Sequence, residues 1–190
     1  MGVGLEFPMR IIAGNAKGRK LQAPKGSKTR PTSDRVREAI FSIVGDLVLD
    51  ALVLDLYAGT GSMGLEALSR GARQAVFVET DISALRCLEM NIRLCGYGDR
   101  SNVVKRPALN YLEKPGPGGG FDLVFADPPY TGDLGTLTLL AISKHAKSFK
   151  SCLIILEHAP GGPPGPVPEN MGVVDNRKYG NVGVTFIRFN

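Results

Sequence analysis

The chain has 190 residues, 43% of them apolar and 22% charged. That length and balance suit one domain with a real core and exclude two large domains, a disordered chain and any fibrous class. Lys and Arg number 23 against 18 Asp and Glu, a net charge of +5 that permits an anionic partner without requiring one.

In chain order, Met9 to Gly14 and Gly18 to Leu21 are β-rich pieces joined by an Asn/Gly turn, and Pro24, Gly26 and Pro31 keep the next stretch irregular. After Thr32 or Ser33 as N-cap, Val36, Ala39, Ile40, Ile43 and Val44 follow the helical i, i+3, i+4, i+7, i+8 spacing. Short β-branched runs then alternate with helical patterns. Strands are expected at Leu52–Leu56, Ala75–Glu79, Asn102–Lys105, Phe121–Ala126 and Leu153–Leu156. Helices are expected at Met63–Ser69, Ser83–Leu94 and Leu134–Ala146. Such alternation implies βαβ crossovers and a parallel sheet, and continuous apolar runs imply strands covered on both faces. The Pro/Gly stretches 115–120 and 160–166 read as surface loops, and Tyr179 to Phe189 as a closing antiparallel strand. No apolar run approaches the roughly 18 residues that span a bilayer, and MGVGLEFPMR lacks the order of a secretion signal, so a cytoplasmic location is expected. Cys87, Cys95 and Cys152 form no C-x-x-C, and only His145 and His158 accompany them, so buried free thiols and no metal site are expected.

Gly59-Thr60-Gly61-Ser62-Met63-Gly64 is a G-x-G-x-x-G between a strand and a helix, the context in which glycines let the backbone approach a ligand and the helix end offers N–H groups. Twenty residues past Gly59 stands Glu79, placed to accept hydrogen bonds from ribose hydroxyls. These features indicate an adenosine-type cofactor. Asp55, four residues before the loop, would repel a pyrophosphate but can pair with the ammonium of S-adenosylmethionine (SAM); it could also simply accept from loop amides. Asp127-Pro128-Pro129-Tyr130 follows a strand whose carboxyl end should face the same crevice. A nucleobase amino nitrogen is a poor nucleophile, because its lone pair is delocalised into the ring. The Asp127 carboxylate and the Pro128 carbonyl, accepting from its two hydrogens, favour the pyramidal nitrogen that can attack a methyl group. Consecutive prolines hold the carbonyl in place, and Tyr130 can stack on an unpaired base.

The segment Arg30-Pro31-Thr32-Ser33-Asp34-Arg35-Val36-Arg37-Glu38-Ala39-Ile40-Phe41, the run from Asp55 to Ala72 with its L-E-A-L-S-R-G-A helix, and Asp127 to Tyr130 together resemble the RsmD family of bacterial 16S rRNA guanine-N2 methyltransferases. The resemblance extends from about Met9 to Lys178-Tyr179-Gly180 and covers almost the whole chain. It implies a class I SAM-dependent methyltransferase: an α/β, Rossmann-like, mostly parallel seven-stranded sheet with helices on both faces over 33–190. Residues 1–32 would form a short basic β-hairpin extension. The resemblance also implies that Asp55, Ala58, Gly59, Thr60, Gly61 and Met63 line the methionine end of SAM, with Glu79, Thr80 and Asp81 around its ribose. Arg30 and Thr32 would close over it, and Asp127 to Tyr130 would orient the guanine amino group. Where such enzymes carry an acidic or amide residue against the adenine this chain has Pro107, which leaves that contact to the Ala108 backbone. They also have a helix after the strand at 153–157, where this chain has a Pro/Gly loop, so an uncovered sheet edge is expected there.

Other readings explain less. An N6-adenine methyltransferase on DNA or RNA can use D-P-P-Y, but on DNA no separate target-recognition domain fits in 190 residues. A nicotinamide-dependent oxidoreductase would account for the glycines but not for Asp55 or D-P-P-Y, and a non-catalytic RNA-binding module only for the basic residues. Residues 10 to 37 hold nine Lys or Arg against Asp34 alone, a surplus of eight that leaves the remainder of the chain at −3. Arg10, Lys17, Arg19, Lys20, Lys28 and Arg35 are therefore expected to position 16S rRNA or a small-subunit assembly through its phosphates. Nothing here requires more than a monomer.

Overall fold

The computed structural model describes residues 9–24, 33–115, 120–130, 132–149, 151–162 and 165–190. Helix α1 (Asp34–Val44) starts where Ser33 accepts a hydrogen bond from the Val36 N–H at 3.3 Å, so Ser33 is the cap; Thr32 lies outside the described residues. There follow β1 (Leu52–Leu56), α2 (Ser62–Ser69), β2 (Gln74–Glu79), α3 (Ile82–Cys95), β3 (Ser101–Lys105), α4 (Ala108–Glu113) and β4 (Leu123–Ala126). The chain ends with α5 (Leu134–Ser143), α6 (Ala146–Phe149), β5 (Leu153–His158), β6 (Met171–Tyr179) and β7 (Val182–Phe189).

The strands form one sheet in the order β3-β2-β1-β4-β5-β7-β6. β1 to β5 run parallel, and β7 lies antiparallel between β5 and β6. Strand order reverses between β1 and β4, the point outside which open α/β sheets bind ligands. Alternate side chains of each central strand feed two cores. Val53, Phe77, Phe125 and Ile155 pack with α1, α2 and α3, whereas Leu54, Val78, Val124 and Ile154 pack with α4, α5 and α6.

Three expectations change. The sheet does not end at β5, because β7 covers its edge, pairing Ile154 with Ile187 through His158 with Gly183; the outer edge is β6. The helical pattern at 134–146 divides into α5 and α6. Cys95 and Cys152 are buried thiols, but Cys87 is only half-buried.

Among the described residues the basic N-terminal segment is a hairpin with one β-bridge, Arg10 to Lys20, and backbone hydrogen bonds from Ile11 to Arg19 and from Leu21 to Met9 beside it. Met9, Ile11, Ala16 and Leu21 lie in the same core as α1 to α3. Its backbone is tied down by α2 and α3. Glu66 accepts from the N–H groups of Ile12 at 2.7 Å and Ala13 at 3.0 Å, the Ser69 hydroxyl accepts from Ala16, and Asn91 Oδ1 accepts from Gln22 at 2.7 Å. Gly14, at φ +79°, passes so close that a Cβ there would lie 1.8 Å from the Ser69 carbonyl oxygen, a clash only glycine avoids.

Candidate active site

The register of the sheet brings the acids together. Asp55 on β1 stands opposite Phe77 of β2 and Phe125 of β4, and Glu79 and Asp127 each follow two residues later. The carboxyl ends of three neighbouring parallel strands thus carry three carboxylates around one crevice. Asp55 is 4% exposed, and its Oδ2 accepts from the Gly64 N–H at 2.9 Å. A Cβ on Gly64 would fall 2.3 Å from the Phe77 ring, so glycine is what allows α2 to approach that carboxylate. One Asp55 oxygen therefore accepts from an amide in the first turn of α2, close to the alternative reading of Asp55 as an acceptor for loop amides.

The loop between β1 and α2 turns through left-handed backbone at Tyr57 (φ 59°), Gly59 and Gly61. Glu79 holds it from below: Oε2 accepts from Gly59 at 2.7 Å, while Oε1 accepts from Thr80 at 2.6 Å and Asp81 at 2.8 Å. A carboxylate has about four lone-pair sites, so these bonds leave Glu79 capacity for a ligand. Asp81 caps α3 by accepting from Ala84 at 2.7 Å, and Thr80 is exposed beside it. Ala58, Gly61, Met63 and Ala108 are buried, with Gly59 and Thr60 half-buried. Pro107 caps α4 without a side-chain hydrogen bond.

Asp127 is half-buried, Pro128 buried, and Pro129 and Tyr130 exposed at the crevice mouth. Burial pushes the Asp127 carboxyl up to about 6. It pushes Asp55 up to about 8, with the charges of Glu79 and Asp127 adding to the rise and the Gly64 bond opposing it. Burial, then the charges of Asp127 and Glu157, raise the Tyr130 phenol, which stays protonated. The folded protein thus holds protons that an unfolded carboxyl, near its ordinary 3.8, has already released. Their contribution is complete below about pH 4 and is lost as pH rises through 6 and then 8. Thermal denaturation of the ligand-free protein should show Tm falling between pH 5 and 8, with Asp55→Asn removing most of that slope. An unchanged slope in the variant would contradict the assignment.

Arg30, Thr32 and Lys28 lie outside the described residues. Arg10, Lys17, Arg19, Lys20 and Arg35 are exposed, but two of them are engaged: Arg10 pairs with Asp34 at 3.3 Å, and Arg19 donates to the Leu94 carbonyl. Arg37, counted in the basic stretch, is fully buried between Asp34 at 2.8 Å and Glu66 at 3.6 Å and offers nothing to solvent. Sequence reasoning missed Asn91, whose Nδ2 donates to the carbonyls of Gln22 and Thr60, both at 3.0 Å, joining hairpin, loop and α3. The signal was there: a polar residue in the apolar stripe of Ala84, Leu85, Leu88, Ile92 and Cys95. Among the described residues no cluster of acids, histidines and cysteines could hold a metal, and no helix is long and apolar enough to cross a membrane.

A doubly wound sheet with a glycine loop and two acids on β1 and β2, and Asp-Pro-Pro-Tyr after β4, defines a class I methyltransferase, for which SAM is the general kind of cofactor. The family profile Conserved hypothetical protein 95 matches residues 9–188, and the chain belongs to that family, the RsmD family of its sequence resemblance. It is 34% identical over 174 residues to ribosomal RNA small subunit methyltransferase D of Escherichia coli K12, covering 92% of this chain and 86% of that one. The protein of the same name from Haemophilus influenzae is 33% identical over 182 residues, 91% of this chain and 94% of the other. The solved yhhF protein of Escherichia coli superposes with TM-score 0.84 at 33% identity, over 96% of this chain and 98% of that one.

Proposed function

We propose that the chain transfers a methyl group from SAM to the exocyclic N2 amino group of a guanine in 16S rRNA. The observation that carries this reading is the convergence of Asp55, Glu79 and Asp127 beside the glycine loop. Three acids crowded at one crevice, whose ionisation a nearby cation favours, suit a ligand with cationic groups and an adenosine ribose, and disfavour a pyrophosphate. SAM, when bound, supplies a methyl group on a positively charged sulfur, and the electron pair of the broken S–C bond stays on sulfur.

The chain's own residues do the rest. Asp55 faces the ammonium, Glu79 with Thr80 and Asp81 receives the ribose, and Ala58, Gly59, Thr60, Gly61 and Met63 bound the methionine end. The Ala108 backbone borders the adenine, and the family resemblance assigns Arg30 and Thr32, outside the described residues, to the cofactor as well. Asp127 and the Pro128 carbonyl accept from the amino hydrogens, and Tyr130 stacks on the base. As the C–N bond forms the nitrogen becomes cationic; Asp127 stabilises that charge, and one proton then leaves to water. Exposed Lys17, Lys20 and Arg35, with Arg10, Arg19 and Lys28, meet the RNA phosphates.

Small-subunit particles lacking the modification, incubated with methyl-labelled SAM and digested, should yield labelled N2-methylguanosine at one position. Label on adenine N6 or on protein, or saturable NADH binding without SAM binding, would overturn the reading.

A further inference from the structure

Beside the Asp-Pro-Pro-Tyr turn lies a cavity of about 170 Å³ walled by Pro128, Pro129, Tyr130, Glu157 and His158, with glycines 132, 135, 161 and 162 on its rim. Glycine lining lets a flat ring approach the backbone closely. Among the described residues, Glu157 is the one carboxylate lining this space, and it is 4% exposed.

Its position follows from the ladder. Ala126 of β4 is in register with Leu156 of β5. The next residues, Asp127 and Glu157, therefore leave neighbouring parallel strands side by side at a strand spacing of roughly 5 Å. Both carboxylates lie near enough to the Tyr130 phenol for their charges to raise it. The adjoining wall is tied down: His158 Nδ1 donates to the Ala159 carbonyl at 2.8 Å, and its Nε2 shares a hydrogen bond with the Thr185 hydroxyl at 2.8 Å. A Cβ on Gly183 would come within 2.2 Å of that imidazole, so the strand beneath it is glycine by necessity.

We infer that Glu157 selects guanine by accepting a hydrogen bond from the ring N1–H while Asp127 holds the neighbouring amino group. This rests on the guanine-N2 reading above and deepens it. A guanine presents two adjacent donors on this edge, the amino group and N1–H. Adenine and cytosine present an amino group beside a ring nitrogen that is an acceptor, and a carboxylate there repels its lone pair. Two carboxylates side by side are thus complementary to guanine and mismatched to the other amino-bearing bases.

2-Aminopurine isolates the contact, because it keeps the 2-amino group but has an acceptor at N1. Small-subunit particles carrying guanine or 2-aminopurine at the methylated position should differ with the wild-type protein by at least about tenfold in kcat/KM in favour of guanine. Glu157→Gln, whose amide can donate to an acceptor, should lose about tenfold or more on guanine and gain on 2-aminopurine, so that the preference collapses or inverts. SAM affinity should stay within about twofold, and an unchanged Tm would show that the fold is intact. Equal wild-type rates on the two particles, or equal losses on both in the variant, would overturn the role of Glu157 while leaving N2 methylation standing. No transfer to the guanine particle by the wild type would overturn both.

Discussion

Asp127→Ala should lower kcat for methyl transfer by about a thousandfold or more while SAM affinity changes by no more than about twofold. Asp127 stands at the end of β4, beyond the Phe125 position that pairs with Asp55, and is held half-buried by two prolines. Its proposed partner is the base, so its loss removes an acceptor where positive charge develops and leaves the methionine end of the cofactor its own carboxylate. One preorganised hydrogen-bonding group at such a place is worth about 10²–10³ in kcat. The charge of Asp127 adds to that figure. Single-turnover assays with saturating SAM, together with calorimetric SAM titration, separate the two effects. A collapse of SAM affinity with normal turnover at saturation would reverse the assignment. Asp127→Asn keeps an acceptor oxygen, so it should retain more activity than Ala and lose the pH dependence that comes from a carboxyl near 6.

Glu66→Ala should cost about 3–5 kcal/mol of stability, read as a lower denaturation midpoint, because it strips the buried Arg37 of one of its two anions. Arg37 is already strained electrostatically: burial lowers its pKa, against the opposing pull of Glu66 and Asp34. Glu66 also accepts from Arg70 at 2.8 Å and from the hairpin amides of Ile12 and Ala13. Removing it therefore leaves a buried cation and two backbone donors without this acceptor. Arg37→Met should be destabilising alone, but the double variant should cost less than the sum, since the uncompensated charge disappears. Strict additivity would mean that the pair is not coupled. Glu66→Gln, which keeps an acceptor for the hairpin, should fall between wild type and Ala.

The parallel sheet, its crossovers and the two ligand motifs could be read from the chain because each has a local signature. Leu52 to Leu56 is an unbroken apolar run apart from Asp55, and Gly59 to Gly64 follows it directly. What could not be read are features whose local chemistry imitates something else. Arg37 and Glu66 look like members of solvated charge runs, and only the folded chain shows them facing each other in the interior. β6 reads Gly-Val-Val-Asp-Asn-Arg-Lys, a polar stretch that resembles a loop because most of its side chains face solvent. Glu157 follows the apolar run of β5, and its place beside Asp127 depends on the register of β4 against β5. Asp127 to Tyr130 escaped this ambiguity because few other contexts call for two consecutive prolines between an acid and an aromatic.

The outermost strand has a consequence for how the protein behaves at high concentration. An exposed strand edge offers unpaired amides and carbonyls to any passing chain, and Val173 and Val174 on β6 are 48% and 56% exposed. The pairing with β7 slips between Val173 and Asp175, a bulge at the very point where those valines lie. Beyond it the edge carries Asp175, Arg177 and Lys178, with Asp175 and Arg177 paired at 2.9 Å. A kinked, charged border is a poor template for strand addition. At this end of the sheet, opposite the β3 edge, the polarity that hid β6 in the sequence is also what makes its border a poor place for a further strand to pair.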